Sequence, residues 1–129
     1  ALYLDQGFLA GNGNYLRSET LFFAGLHPAR RPSDLSAAER RRLAQQTLRV
    51  ARRSYRTRGI TTRPSVVAEL RAEGYPRRAY RFSVFDREGK FCFECGTQIA
   101  RVELGGRRLY LCPTCQRPPE QPARARRSR

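Results

Sequence analysis

The four cysteines of this chain fall into two Cys-x-x-Cys pairs, Cys92/Cys95 and Cys112/Cys115, with 16 residues between them. Each pair offers two sulfurs from one tight turn, and two such turns at this spacing form the ligand set of a structural four-thiolate zinc site. Gly96, directly after the first pair, leaves room for backbone amides to approach the thiolates. Two disulfides or a set of free thiols would use the same residues. Zinc is the preferred reading, because such pairs seldom bond within themselves structurally and a hairpin this small needs a staple. A second candidate is Gly11-Asn12-Gly13-Asn14 ahead of a helical pattern. Backbone amides of such a turn, together with the helix dipole, make an anion site, although the same residues also suit an ordinary helix–helix turn. His27 reads as a loop residue and not a ligand, since the zinc set is already complete. Catalysis follows from none of these residues.

The charge balance says what such sites would hold. Lys plus Arg number 26 against 11 Asp plus Glu, a net charge of +15 with a pI near 11.2, and Lys90 is the only cation that is not Arg. That composition favours a phosphate-rich partner, which the guanidinium fork grips in bidentate fashion. No apolar run of about 18 residues exists, so no membrane span is expected, and no secretory signal is visible. Committing every cysteine to a metal agrees with a reducing, cytoplasmic setting.

The elements that must position these groups are readable in outline. Between the cysteine pairs, Ile99 to Leu104, a Gly105-Gly106 turn and Arg107 to Leu111 make a hairpin with Arg107 at its tip. A two-residue turn sets Val102 beside Leu109, Ala100 beside Leu111 and Glu103 beside Arg108. Upstream, ALYLDQGFLAG begins in mid-pattern, like the second half of a helix, so the chain is expected to be a C-terminal piece of a larger protein. Asn14 is suited to cap a helix from about Tyr15 to Ala24 that Gly25 closes. Glu19 lies close to the apolar face of Leu16, Thr20 and Phe23, and is expected to be partly buried and hydrogen-bonded. A loop from His27 to Ser33 follows.

The capping box Ser36-Ala37-Ala38-Glu39 opens a helix reaching about Thr57, with Gly59 as its stop. Leu43, Thr47, Ala51 and Tyr55, flanked by Ala44 and Leu48, are its expected buried stripe. Arg40, Arg41, Arg42, Arg49, Arg52, Arg53 and Arg56 occupy the remainder, as a solvated face with some part near a nucleic-acid backbone. Residues 59 to 79 read as polar and irregular around a short helix from Val66 to Glu73. Tyr80 to Phe85 alternates like a strand, Asp86 to Gly89 turns the chain into the hairpin, and the tail after Gln116 reads as disordered.

The expected fold is therefore mainly α with a small β zinc finger, a helical unit followed by a four-cysteine β-hairpin. GNGNYLRSETLFFAGLHP, with FCFECGTQIARVELGGRRLYLCPTCQ much later, resembles the C-terminal half of the formamidopyrimidine-DNA glycosylase/endonuclease VIII family over residues 1 to 116. GNYLRSE and the TRG ending at Gly59 are closer to the endonuclease VIII branch, which favours oxidised pyrimidines. The resemblance implies a helix–two-turns–helix domain over 1–85, a zinc-finger hairpin over 86–116 and a basic tail over 117–129.

It also implies a bacterial base-excision-repair parent, a bifunctional DNA glycosylase and AP lyase at the nucleoid, acting on duplex DNA with damaged bases or abasic sites as a monomer. Carried over residue by residue, Gly13 and Asn14 would hold the phosphate near the lesion and Arg107 the phosphates flanking the flipped nucleotide. Cys92, Cys95, Cys112 and Cys115 would hold the single zinc. Asn12 departs from the aliphatic residue usual in the family. The family's catalytic proline amine, adjacent glutamate and lysine belong to an upstream β-sandwich domain. Ala1 is not that proline, and Lys90 lies in the turn before the finger, so this chain alone is expected to be inactive. The rival readings are a stand-alone zinc-ribbon module for nucleic acid with no enzymatic parent and, on charge alone, a ribosome-associated basic protein.

Overall fold

Helix α1 (Gly13–Ala24) packs against both the long helix and the second strand of the computed structural model, which describes residues 13–118. It is followed by a 3₁₀ turn (Pro32–Asp34), a long helix α2 (Ala37–Thr57), a shorter α3 (Pro64–Ala72), one helical turn α4 (Arg77–Tyr80), and strands β1 (Ala100–Leu104) and β2 (Arg107–Leu111). The architecture is the expected one, mostly helical with a two-stranded antiparallel sheet. The expected half-helix before Gly7, the turn residues Gly11 and Asn12, and the tail from residue 119 lie outside the described residues.

Helix α1 starts two residues earlier than expected, so Asn14 stands in its first turn instead of capping it. Its end is a Schellman turn: Gly25 takes φ +73°, its amide donates to Phe22 O and that of Leu26 to Leu21 O. Arg42 Nε adds a bond to Ala24 O at 2.8 Å, while at the other end Tyr15 Oη meets Ser54 Oγ at 2.9 Å. Helices α1 and α2 are therefore antiparallel, and Ala24, Leu26, Leu35, Leu21 and Leu43 fill the seam at the C-terminal end of α1. Both halves of the Ser36–Glu39 capping box form.

The buried stripe of α2 differs from the expected one. Val50 and Ser54 are buried, with Leu43, Thr47 and Thr57 half-buried, whereas Leu48 is 51% and Tyr55 88% exposed. Steps of four residues advance 400° and drift 40° per step, so a row spaced only by four leaves the seam. Alternating steps of four and three, 43–47–50–54–57, stay on it. Arg53 is likewise not on the solvated face: it donates to Thr61 O at 2.7 Å and lies 5.1 Å from the Phe23 ring centroid. Burial, the largest influence, lowers its pKa, and Arg49 lowers it further.

The stretch 59–79 is more ordered than its polarity suggests. Helix α3 begins at Pro64, suited by its fixed φ to a first turn, and Ile60, Val67, Leu70 and Tyr80 form a cluster of their own. The expected strand from Tyr80 to Phe85 is absent. Tyr80 ends α4, and the amides of Ser83, Val84 and Phe85 all turn to one carboxylate, that of Glu19. Three consecutive N–H groups aimed at one point cannot alternate across a ladder. The Asp86–Gly89 turn forms as expected, with Asp86 at φ +59° and Gly89 at +83°.

The hairpin has the expected register, Ala100↔Leu111, Val102↔Leu109 and Glu103↔Arg108. Gly105 and Gly106 take φ +58° and +78°, the pair of positive angles that a tight primed turn requires. Strand β2 lies on α1, and Phe22, Val84, Cys92, Ile99, Tyr110 and Cys112 form the shared core. Phe22 alone contributes about 1.5–3 kcal/mol through that burial.

Candidate metal centre and nucleic-acid interface

The sulfurs of Cys92, Cys95, Cys112 and Cys115 all lie within 4.8 Å of one another, and Cys95 Sγ stands 3.4 Å from Cys112 Sγ. Four thiolates placed tetrahedrally about 2.3 Å from zinc are about 3.8 Å apart, so the cluster fits that ion. Each knuckle directs an amide at its own first sulfur, Glu94 N to Cys92 Sγ at 3.3 Å and Cys115 N to Cys112 Sγ at 3.4 Å. Such bonds orient thiolates and spread their charge. Thr97 Oγ1 meets Thr114 Oγ1 at 2.7 Å and ties one knuckle to the other. Hydrogen bonds with Thr97, side chain first and backbone second, bring Cys95 down to about 6, while burial pushes Cys112 and Cys115 up. The Cys95 thiolate is thus ready at neutral pH, and Cys112 and Cys115 ionise with the help of a cation. When bound, zinc clamps the open end of the hairpin and supplies folding energy there. His27 is not part of this cluster; its Nδ1 accepts the Ala29 amide at 3.0 Å.

Three contacts fix the finger against α1. Tyr110 N donates to Ser18 Oγ at 3.1 Å, Phe22 packs with Tyr110 and Cys112, and Gln116 Nε2 donates to Leu26 O at 3.0 Å. The order 110–112–116 runs with 18–22–26, so β2 and α1 point the same way. Gly13 and Asn14 stand in the first turn of α1, and exposed Arg107 stands at the start of β2, beside the hairpin turn. The cysteine cluster lies at the opposite, open end of the hairpin, so a metal held there would leave the end that carries Arg107 free.

Glu19 is what sequence reasoning underestimated. It is fully buried, and its two oxygens accept four bonds: Oε1 from Thr61 Oγ1 (2.7 Å) and Ser83 N (2.8 Å), Oε2 from Val84 N (2.8 Å) and Phe85 N (2.9 Å). Arg81, next to this junction, donates from Nε to Gly59 O and stacks over Phe82 at 4.4 Å and Tyr15 at 5.6 Å. Gln116 was also missed. It is fully buried, accepting from Cys112 N while donating to Leu26 O, and its place directly after the last cysteine is the one signal the sequence held.

This arrangement can be compared with known families. The model of the formamidopyrimidine-DNA glycosylase H2TH domain matches residues 1–65, and that of the zinc finger found in FPG and IleRS matches residues 89–118. The chain belongs to the formamidopyrimidine-DNA glycosylase/endonuclease VIII family. Among its relatives, the Endonuclease 8 of Enterobacter sp. (strain 638) is 45% identical over 116 residues, 90% of this chain and 41% of that protein. The Endonuclease 8 of Klebsiella pneumoniae subsp. pneumoniae is 43% identical over 115 residues, covering 89% and 40%. The chain thus spans about two fifths of the length of these family members. The fold is also that of Lactococcus lactis FPG (MutM), solved in complex with DNA containing FAPY-dG. There the TM-score is 0.65 at 21% identity, over 82% of this chain and 37% of the other. Within the family, likeness to the Endonuclease 8 proteins places the chain in the endonuclease VIII branch.

Proposed function

We propose that this chain is the DNA-holding part of a base-excision-repair glycosylase and AP lyase of the endonuclease VIII type, with oxidised pyrimidines as its substrate class. The observation that supports the reading is the parallel course of α1 and β2. Helix α1 opens on first-turn amides and the positive end of its dipole, and β2 opens on exposed Arg107, two groups suited to phosphate on elements that run the same way. In this reading the unit of residues 1–85 supplies Gly13 and Asn14, the finger of residues 86–116 supplies Arg107, and both grip phosphates on either side of a nucleotide turned out of the duplex. The chemistry is assigned to a catalytic domain outside this chain. The isolated chain should then neither excise a damaged base nor be trapped on DNA by borohydride. The setting that goes with it is the bacterial cytoplasm, at the nucleoid, as a monomer.

Binding measurements test the grip. Arg107→Ala should weaken binding to abasic-site and undamaged duplexes alike by about 1–3 kcal/mol. It should also lower the slope of log K against log salt by roughly one phosphate. Asn14→Ala should weaken binding at nearly unchanged slope, since a neutral amide releases no counterion. Arg124→Ala, in the Arg- and Pro-rich C-terminal stretch, is the control. If it matches Arg107→Ala, the hairpin tip is no specific clamp.

A further inference from the structure

The face of α2 turned away from α1 bears a stripe that the fold does not use. Opposite the buried Val50 and Ser54, Arg41, Leu48, Arg49, Arg52, Tyr55 and Arg56 are all exposed, Tyr55 at 88% and Leu48 at 51%. None of the four arginines has an acidic partner among the described residues. The only acid of α2, Glu39, is held by Arg30 at 2.9 Å, and the other ion pairs join Arg31–Asp34, Arg63–Glu94 and Arg101–Glu88. A merely solvated helix face usually mixes charges or pairs them four residues apart. This one carries a single sign over about 22 Å, from Arg41 to Arg56.

We propose that the outward face of α2 binds a single strand of DNA, with Arg41, Arg49, Arg52 and Arg56 on its phosphates and Tyr55 against an unpaired base. Charge complementarity selects the occupant. A second copy would set four arginines against four. An acidic protein segment would answer the charges but bring no flat ring to Tyr55, whereas every base has a face that stacks on an aromatic side chain. Placement agrees. Ser54, on the buried side of the last turns of α2, meets Tyr15 of the first turns of α1, so the C-terminal end of α2, where the stripe ends, lies at the end of α1 to which the phosphate grip is assigned. The inference rests on reading the chain as a DNA-holding unit but uses none of the residues assigned to the grip.

The chain contains no tryptophan, so Tyr55→Trp installs a single fluorescent reporter at the proposed stacking position. In the full, zinc-loaded chain, a twenty-nucleotide oligothymidylate should quench that reporter saturably, and adding Arg107→Ala should leave the quenching in place. Replacing Arg49, Arg52 and Arg56 together by Gln should weaken oligothymidylate binding about tenfold or more at low salt. It should flatten the salt slope by about 2, at roughly 0.7 per phosphate. Unchanged far-ultraviolet circular dichroism shows that the exposed substitutions leave the helices folded. No quenching at saturation, or a salt slope equal to that of the parent, would overturn the proposal. So would tighter binding of oligouridylate, or equal quenching by polyglutamate. The phosphate grip is read separately from Arg107→Ala on an abasic-site duplex, so either assignment can fall while the other stands.

Discussion

Two anionic centres organise irregular backbone in this molecule, and they do it differently. The four thiolates at the base of the finger gather two knuckles that are local in sequence, and they need a cation to neutralise the sulfurs they bring together. The Glu19 carboxylate gathers Thr61 and residues 83–85 from far along the chain and needs no metal, because four donors already surround it. A buried charge is tolerable only when its lone pairs are taken. The finger meets that condition with zinc, the helical unit with backbone amides. One centre should therefore depend on metal supply, and the other should not.

Removing the metal should have the largest effect. Structural zinc contributes on the order of 10 kcal/mol at neutral pH, so a chelator should strip amide-exchange protection from residues 89–116. The Ala24–Leu26–Leu35 seam, whose side-chain cluster holds no finger residue although Gln116 bonds Leu26 O, should keep most of its protection. Loss of both together would mean that the two centres form one cooperative unit. Next comes Glu19→Ala, which leaves three amides without their acceptor and the Thr61 hydroxyl with only Arg81 O at 3.3 Å, and should cost about 3–5 kcal/mol in urea unfolding. The variant should still carry one zinc in elemental analysis. A zinc-free variant, or a loss below about 1 kcal/mol, would break the contrast. Glu19→Gln keeps the shape but replaces one acceptor oxygen with an NH₂ that faces donors, for an intermediate loss of about 1–3 kcal/mol. Smallest is Ser18→Ala, which removes the acceptor of Tyr110 N and should cost about 1 kcal/mol. An equal loss from Ser18→Ala and Glu19→Gln would show that the seam with β2, and not the carboxylate, carries the junction.

The same contrast decides what could be read in the sequence. The metal centre was legible because its ligands sit at fixed short spacings and its hairpin has a two-residue turn that dictates register. The capping box of α2 was legible for the same reason: both partners are three residues apart. Glu19 was half legible. Its position beside an apolar face suggested burial, but its partners lie 42 to 66 residues away, and no local pattern marks them. That distance also accounts for the misplaced strand: alternation at Tyr80–Phe85 is real, yet the amides go to a carboxylate on another element. The stripe of α2 failed on geometry alone, through the drift of a row spaced only by four. The residues assigned to DNA, Gly13, Asn14 and Arg107, owe their reading to family resemblance, since nothing in their own spacing distinguishes a phosphate contact from a turn.

The bonds that finish α1 also set an order of events in time. Ser18 waits for Tyr110, 92 residues later, and Leu26 waits for Gln116, 90 residues later. At ribosomal speeds of about 5–20 residues per second, that is roughly 5–20 s during which the helix has emerged and its partners have not. Closing such long loops is also slow in a refolding chain, because their entropy is lost before the contacts form. Until residues 83–85 emerge, 64 to 66 residues after it, the Glu19 carboxylate also faces solvent or whatever chaperone covers it, and the Phe22 ring waits longer, for Tyr110 and Cys112. A segment about 90 residues further along the chain then completes the first described helix, and a nascent chain that stalls before Gln116 is left with that helix unsealed at its C-terminal end.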